Sequence, residues 1–427
     1  MSEWLATGVA DMAANLQGSS ILAIAAQVRA LAATGKTICN LTIGDFDPRH
    51  YPLPEVLLEG TYAALKAGHS NYPPANGILE LRQAVQRFCR DRLGWTPPLD
   101  NVLIAGGARP VLYGAYRAVV NPGDKVVYGT PSWNNNHYAH LVGAMPVEIA
   151  VTAEDNFFPR LDQIEPHLSE ATMIVVNSPL NPSGTCIDTA ALRALCERIV
   201  AENHQRRSEG RRPLFLCYDQ IYWLLTFGET VHADPVAVMP EMADYTIYVD
   251  GISKCFAATG LRVGWTIAPK AVCDAMNRVL GHVGAWAPKA EQVAAAQLLG
   301  DSAAVDAYLA FIRHAAESRL QLLHSRISEL ADQGFPLRAL VPQGAIYLSA
   351  EFALRGWRDG DQELASSADV RSWLLEQAGM AVVPFDAFGA RHATDWYRLS
   401  VGACGLAELS DALDRLEAAL RRLQAPR

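Results

Sequence analysis

Five short stretches of this chain carry side chains able to do chemistry, and each lies in or just after a run of apolar, strand-forming residues. Ser253-Lys254 comes shortly after Thr246-Ile247-Tyr248-Val249, and Arg262 lies eight residues beyond the lysine. An amine in such a place becomes nucleophilic toward a carbonyl when burial or nearby cations lower its pKa, which is the condition for Schiff-base chemistry. Arg262 adds a charge suited to phosphate. Asp219 directly follows the apolar run that starts at Leu214, and Gln220 and Tyr222 come after it. A carboxylate half buried there either caps a helix or needs a cation or strong donors. Gly106-Gly107-Ala108-Arg109 opens a helical pattern after Val102–Ala105. Free N–H groups at such a corner suit an anion, although a tight strand–helix turn uses the same glycines. Asn177-Ser178-Pro179-Leu180-Asn181-Pro182 forms a rigid loop with two amides, because each proline keeps the residue before it out of the helical region. Arg398, embedded in Trp396-Tyr397-Arg398-Leu399-Ser400, needs an anion from the protein or from a ligand.

The elements that position these residues follow from pattern. Short apolar runs alternate with helical periodicity from about 101 to 269, the signature of strand–helix crossovers and a mostly parallel sheet. Seven runs qualify as strands: 102–105, 125–128, 146–149, 173–176, 214–217, 246–249 and 263–267. Most are continuously apolar, as strands covered on both faces must be. In such sheets ligands bind beyond the carboxyl ends of the strands, where the polar residues above stand. Apolar residues then recur at steps of three and four from Val305 to Leu330, which predicts one long amphipathic helix. It leads to a C-terminal unit with strands at 345–348 and 381–384.

Composition bounds the function classes. The 427 residues are 50% hydrophobic and 19% charged, with a formal net charge of −9, a globular balance that offers no field for polyanions. The one basic cluster, Arg206, Arg207, Arg211 and Arg212, reads as a solvated loop. Eight scattered cysteines include no Cys-x-x-Cys pair, which argues against a metal or disulfide scaffold and for a reducing, cytoplasmic location. Met1-Ser2-Glu3-Trp4-Leu5 lacks the basic start of a secretion signal.

Taken jointly, these motifs resemble the class I/II aminotransferases, pyridoxal-phosphate enzymes of fold type I. Gly251-Ile252-Ser253-Lys254 through Gly260-Leu261-Arg262-Val263-Gly264 fits that family's lysine signature, and Asn181-Pro182-x-Gly184 and Asp219-x-x-Tyr222 precede it in family order. The similarity runs from Asn40–Gly44 to the Arg398 segment. It implies a three-layer α/β/α large domain with a mostly parallel seven-stranded sheet, over about 46–310. It also implies a smaller α+β domain made of 1–45 and 311–427. By the same resemblance Lys254 holds pyridoxal 5'-phosphate as a Schiff base and shuttles the proton, Asp219 pairs with the pyridine nitrogen, and Asn181 and Tyr222 bond the phenolic oxygen. Gly107, Ala108, Arg109, Ser253 and Arg262 form the phosphate cup, and Trp133 stacks on the ring. Tyr72 reaches the phosphate of the neighbouring subunit, which implies a homodimer. Arg398 clamps the substrate carboxylate with help from Asn181, under the backbone at Gly44. A cis bond at Asn181-Pro182 is expected by the same analogy.

Two positions depart from the family pattern. Gly251 stands where many members carry a serine, which removes one phosphate hydroxyl, and Arg109 is an unusual large cation beside the cup. Trp286 lies in a stretch expected to narrow the side-chain pocket. The reading that results is amino-group transfer between an L-amino acid and a 2-oxo acid. A lyase or cyclising reaction on the same cofactor is the alternative, and no nucleic-acid or membrane partner is expected.

Overall fold

In a computed structural model of the chain, the seven apolar runs join edge to edge in one sheet. The structure describes residues 8–426 apart from 17, 19–23, 25, 29 and 32, so the segment Met1–Leu5 lies outside it. Helices α1 (Glu55–Lys66) and α2 (Leu79–Leu93) lead into β1 (Val102–Ala105) and α3 (Ala108–Val119). The chain continues through β2 (Lys125–Thr130), β3 (Met145–Ala150), β4 (Ala171–Asn177), α4 (Thr189–Ser208) and β5 (Phe215–Asp219). β6 (Thr246–Gly251), β7 (Gly264–Ile267), α5 (Lys270–His282) and α6 (Lys289–Gly300) complete this unit.

The strand order is β1-β7-β6-β5-β4-β2-β3. All pairs are parallel except those of β7, which runs antiparallel to both β1 and β6. The pleat sorts the side chains into two layers. Leu103, Val126, Met173, Cys217 and Val249 pack with α3 and α5. Ile104, Val127, Ile174, Leu216 and Tyr248 pack on the other face with α2, α4 and α6. The result is the three-layer α/β/α arrangement of fold type I, and it explains why the strands read as unbroken apolar runs. Edge strand β3 is the exception, mostly exposed.

The predicted long helix is α7 (Ser302–Asp332), and every apolar residue of its stripe from Val305 to Leu330 is buried. Beyond it, β8 (Leu337–Ala339), β9 (Tyr347–Phe352), β10 (Val383–Pro384) and β11 (Trp396–Ser400) form an antiparallel sheet in the order β10-β11-β9-β8. β9 starts two residues later than the run at 345–348 suggests. The run at 381–384 splits, with Met380–Ala381 pairing instead with Cys39–Asn40.

The basic cluster is only in part a solvated loop: Arg207, Arg211 and Arg212 are exposed, but Arg206 is not. α4 extends to Ser208, and Arg206 is 4% exposed, donating to Glu202 and to the carbonyls of Leu168, Ala171 and Arg212. Three carbonyls and one carboxylate satisfy the guanidinium, so this charge ties α4 to the start of β4. All eight cysteines are free and buried. No described helix is long and apolar enough to cross a membrane.

Candidate active site

A cavity of about 580 Å³ opens at the carboxyl ends of β4, β5 and β6, where the C-terminal unit leans over the sheet. Its lining includes Gly44, Ala108, Arg109, Trp133, Asn181, Asp219, Tyr222, Ser253, Lys254, Arg262 and Arg398. Of the residues singled out from sequence, Gly107 lies one residue outside this lining, as N-cap of α3. Tyr72 alone stands apart, 81% exposed and edge-on to Trp286 at 5.2 Å. Trp286 is not part of the lining either, so it does not narrow this chain's pocket.

Lys254 sits on the short turn of helix that follows β6, and its Nζ donates to the carbonyl of Gly44 at 2.6 Å. Removal from water lowers its pKa to about 8; Asp45 opposes that shift, while the guanidinium groups of Arg398, Arg109 and Arg262 add to it. Such an amine is partly neutral near physiological pH and therefore nucleophilic.

Asp219 ends β5 with 7% exposure, and burial raises its pKa to about 7. Its side chain accepts from the backbone N–H of Ile221 at 3.1 Å, which makes it a turn former rather than a helix cap. Among the described residues no Lys or Arg pairs with it. The carboxylate is thus placed to receive a cationic donor from a ligand.

The phosphate-like cup is built from backbone. Gly107, at φ 98°, turns the chain into α3 and frees N–H groups at its start. Arg262 reaches under this turn, donating to the carbonyls of Gly106 at 3.0 Å and Thr259 at 2.7 Å, with no carboxylate partner among the described residues. Gly264 lies so close beneath that a Cβ there would be 2.5 Å from the Gly107 carbonyl carbon. Gly251 has a similar reason. A Cβ would stand 2.7 Å from the Val263 carbonyl oxygen, so the missing serine reflects close backbone approach.

Arg398 is 2% exposed and donates to Asn181 Oδ1 at 3.0 Å and to the Thr42 carbonyl at 2.6 Å. Its buried Nε has no partner among the described residues, and its guanidinium lies over the rings of Tyr347 and Phe388 at 4.7 and 5.0 Å. No protein carboxylate meets it among the described residues, so the anion that a buried arginine needs must come from a ligand. Arg109 borders the cavity and rests over the Trp133 ring at 4.9 Å while remaining exposed.

The loop 177–185 holds this constellation together. The Asn177 side chain accepts from the Asn181 N–H at 2.8 Å and donates to the Asp219 carbonyl at 2.9 Å. The Asn181-Pro182 bond is cis, as are Thr130-Pro131 and Ser178-Pro179.

Sequence reasoning missed Tyr347, whose hydroxyl lies 2.6 Å from that of Tyr222, and Asp45, which accepts from the Thr259 hydroxyl at 2.6 Å. Tyr347 sits inside the apolar run 345–348, which reads only as a strand. Asp45, directly after Gly44, carried the only readable signal.

An amine, an uncompensated buried carboxylate, an anion cup and a buried guanidinium around one cavity fit a flat ring with a carbonyl, a basic nitrogen and a phosphate, with room for an amino acid beside it. The comparisons agree with that class. Residues 36–416 match the family Aminotransferase class I and II. The aspartate aminotransferase of Geobacillus stearothermophilus is 29% identical over 97% of this chain and 98% of its own length. The probable aspartate/prephenate aminotransferase of Thermus aquaticus is 31% identical over 97% of this chain and 100% of its own. The crystal structure of the Rhizobium meliloti aspartate aminotransferase superposes with a TM-score of 0.88 at 27% identity, covering 97% of this chain and 99% of that one. The chain belongs to the class I and II aminotransferase family. It is a transaminase of fold type I, moving an amino group between an amino acid and a 2-oxo acid.

Proposed function

We propose that the transaminase uses pyridoxal 5'-phosphate held by Lys254, and that it accepts an acidic L-amino acid such as aspartate as donor. The observation that carries this reading is the pairing, in one cavity, of a lysine amine with its pKa lowered to about 8 and a buried Asp219 that lacks a cation. Pyridoxal phosphate, when bound, supplies an aldehyde that condenses with amines and a ring that takes up the electrons left when a Cα–H bond breaks. The rest falls to the chain's own residues. Asp219 would keep a ring nitrogen protonated by staying ionised beside it. Ala108, Ser253 and Arg262 would hold the phosphate, Trp133 would stack on the ring, and Tyr222 and Asn181 would bond its oxygen.

Arg398 would fix the substrate carboxylate with its guanidinium, and its bonds to Asn181 and Thr42 hold the fork still. Lys254, released once the amino acid has condensed, would carry the Cα proton. Arg109 is the cation left over for a second carboxylate, since among the described residues no acid pairs with it, and the relatives' printed names include aspartate. By holding the carboxylate, Arg398 favours transamination over decarboxylation.

We further propose a division into 46–310 and a second unit of 1–45 with 311–427, whose closure over the cavity excludes water. A homodimer would give exposed Tyr72 its role at the partner's phosphate. A cytoplasmic location accords with the eight free thiols.

The test is Lys254→Ala. The variant is expected to lose the coloured lysine–cofactor adduct and all turnover, while wild type converts aspartate to its oxo acid with the cofactor left in the pyridoxamine form. Persistence of both colour and turnover in the variant would overturn the assignment. A product other than the oxo acid would shift it to the lyase reading.

A further inference from the structure

The turn that carries Asp219 and Tyr222 has a rear side, and it is pinned by one buried acid that plays no part in the site above. By the pleat, Asp219 faces the cavity with the Cys217 and Val249 layer, while Gln220 faces the opposite layer. Asp250, one residue past Val249 on the neighbouring strand β6, points to that same rear layer and is 3% exposed. Its Oδ2 accepts from the Trp223 indole N–H at 2.9 Å and from the Gln220 amide at 3.3 Å. Its Oδ1 accepts from the Gly251 N–H at 2.7 Å. All three partners are N–H donors, the set an ionised carboxylate satisfies. Behind them, His232 Nε2 lies 3.3 Å from the Gln220 Oε1, which fixes the amide's orientation.

Two of the three bonds therefore come from residues interleaved with Asp219 and Tyr222 on one turn. The third comes from the strand end that runs directly into Ser253 and Lys254. We infer that Asp250 is a positioning residue, clamping the Asp219–Trp223 turn to the lysine segment from behind, so that the acid for the ring nitrogen and the Schiff-base amine keep one fixed separation. The inference rests on the proposed pairing of Asp219 with the ring nitrogen of pyridoxal phosphate. An isosteric amide at 250 sets an NH2 group against at least one of the three donors, which forces the turn to move while the volume is unchanged.

The experiment measures dissociation constants of the apoprotein for pyridoxal 5'-phosphate and for the analogue in which C–H replaces the ring nitrogen. Their ratio reports the Asp219 contact alone, without turnover. Asp250→Asn is expected to reduce the wild-type preference for the nitrogen-containing ring by threefold or more. Trp223→Phe, which removes one donor and keeps an aromatic ring, is expected to do the same to a smaller extent, and it carries the test if Asp250→Asn does not fold. Asp234→Asn is the control. That acid is also buried, bonded by Trp95, Tyr248 and the Ala237 N–H, but it touches no residue of the turn. It is expected to lower the melting temperature and leave the ratio unchanged.

If Asp250→Asn and Trp223→Phe lose thermal stability but keep the wild-type ratio, Asp250 is structural only and the inference is wrong. If wild type itself shows no preference between the two rings, the Asp219 pairing fails first and takes the inference with it.

Discussion

Asp219→Asn separates the account's electrostatics from its packing. The amide is isosteric and retains an oxygen for the Ile221 N–H, so the turn should persist. What changes is charge. Raising a carboxyl from 3.8 to about 7 corresponds to roughly 4 kcal/mol against the ionised form in the apoprotein. Because the folded pKa lies above the unfolded one, this penalty is absent below about pH 4, grows as pH rises toward 7, and is constant beyond. Thermal melts of the apoprotein from pH 4 to 8 should therefore show wild type losing more stability than Asp219→Asn over that window. With cofactor and donor present the order reverses. The variant loses a charge-assisted hydrogen bond of about 1.5–3 kcal/mol that is strongest when the ring accepts electrons, so the half-reaction should slow roughly ten- to a hundredfold. An unchanged half-reaction rate from pH 6 to 9, or apoprotein melts with the same pH slope in both proteins, would refute the argument.

Three further outcomes follow from the same geometry. Arg398→Lys keeps the charge but cannot make the planar fork to Asn181, Thr42 and a carboxylate, so kcat/KM for the amino acid should fall roughly ten- to a hundredfold, while cofactor affinity measured by titration holds. Gly264→Ala places a Cβ 2.5 Å from the Gly107 backbone, and the apoprotein's dissociation constant for pyridoxal phosphate should rise more than tenfold; an unchanged constant would mean that the cup does not bind the phosphate. The rate at which the apoprotein takes up pyridoxal phosphate should climb with pH, be half-maximal near 8 where half of Lys254 is neutral, and level off above that, and stopped-flow rates that keep rising toward pH 10.5 would contradict the lowered pKa.

Much of this site could be read from sequence because its parts are locally encoded. Gly251–Gly264 combines close backbone approaches at its two end glycines, a lysine and an arginine within one short segment. The strands were legible because helices cover both faces of the sheet, and α7 because about seven turns of its stripe meet a single core. Other features depended on contacts distant in sequence. Tyr347 meets Tyr222 across 125 positions, and nothing local distinguishes it from other tyrosines in apolar runs. Arg206 was misread because a run of arginines looks solvated, whereas the phase of α4 turns this one inward to backbone carbonyls. Asp250 was invisible for the same reason: two of its three donors come from a different strand's turn. The reversed direction of β7 leaves no mark on the sequence, since an apolar run reads alike either way.

The central claim is a covalent bond between one nitrogen and an aldehyde. Borohydride reduction of the protein incubated with pyridoxal 5'-phosphate, followed by peptide mass spectrometry, should find the reduced cofactor on Lys254. Labelling at another lysine, or no stable label at all, would contradict the account.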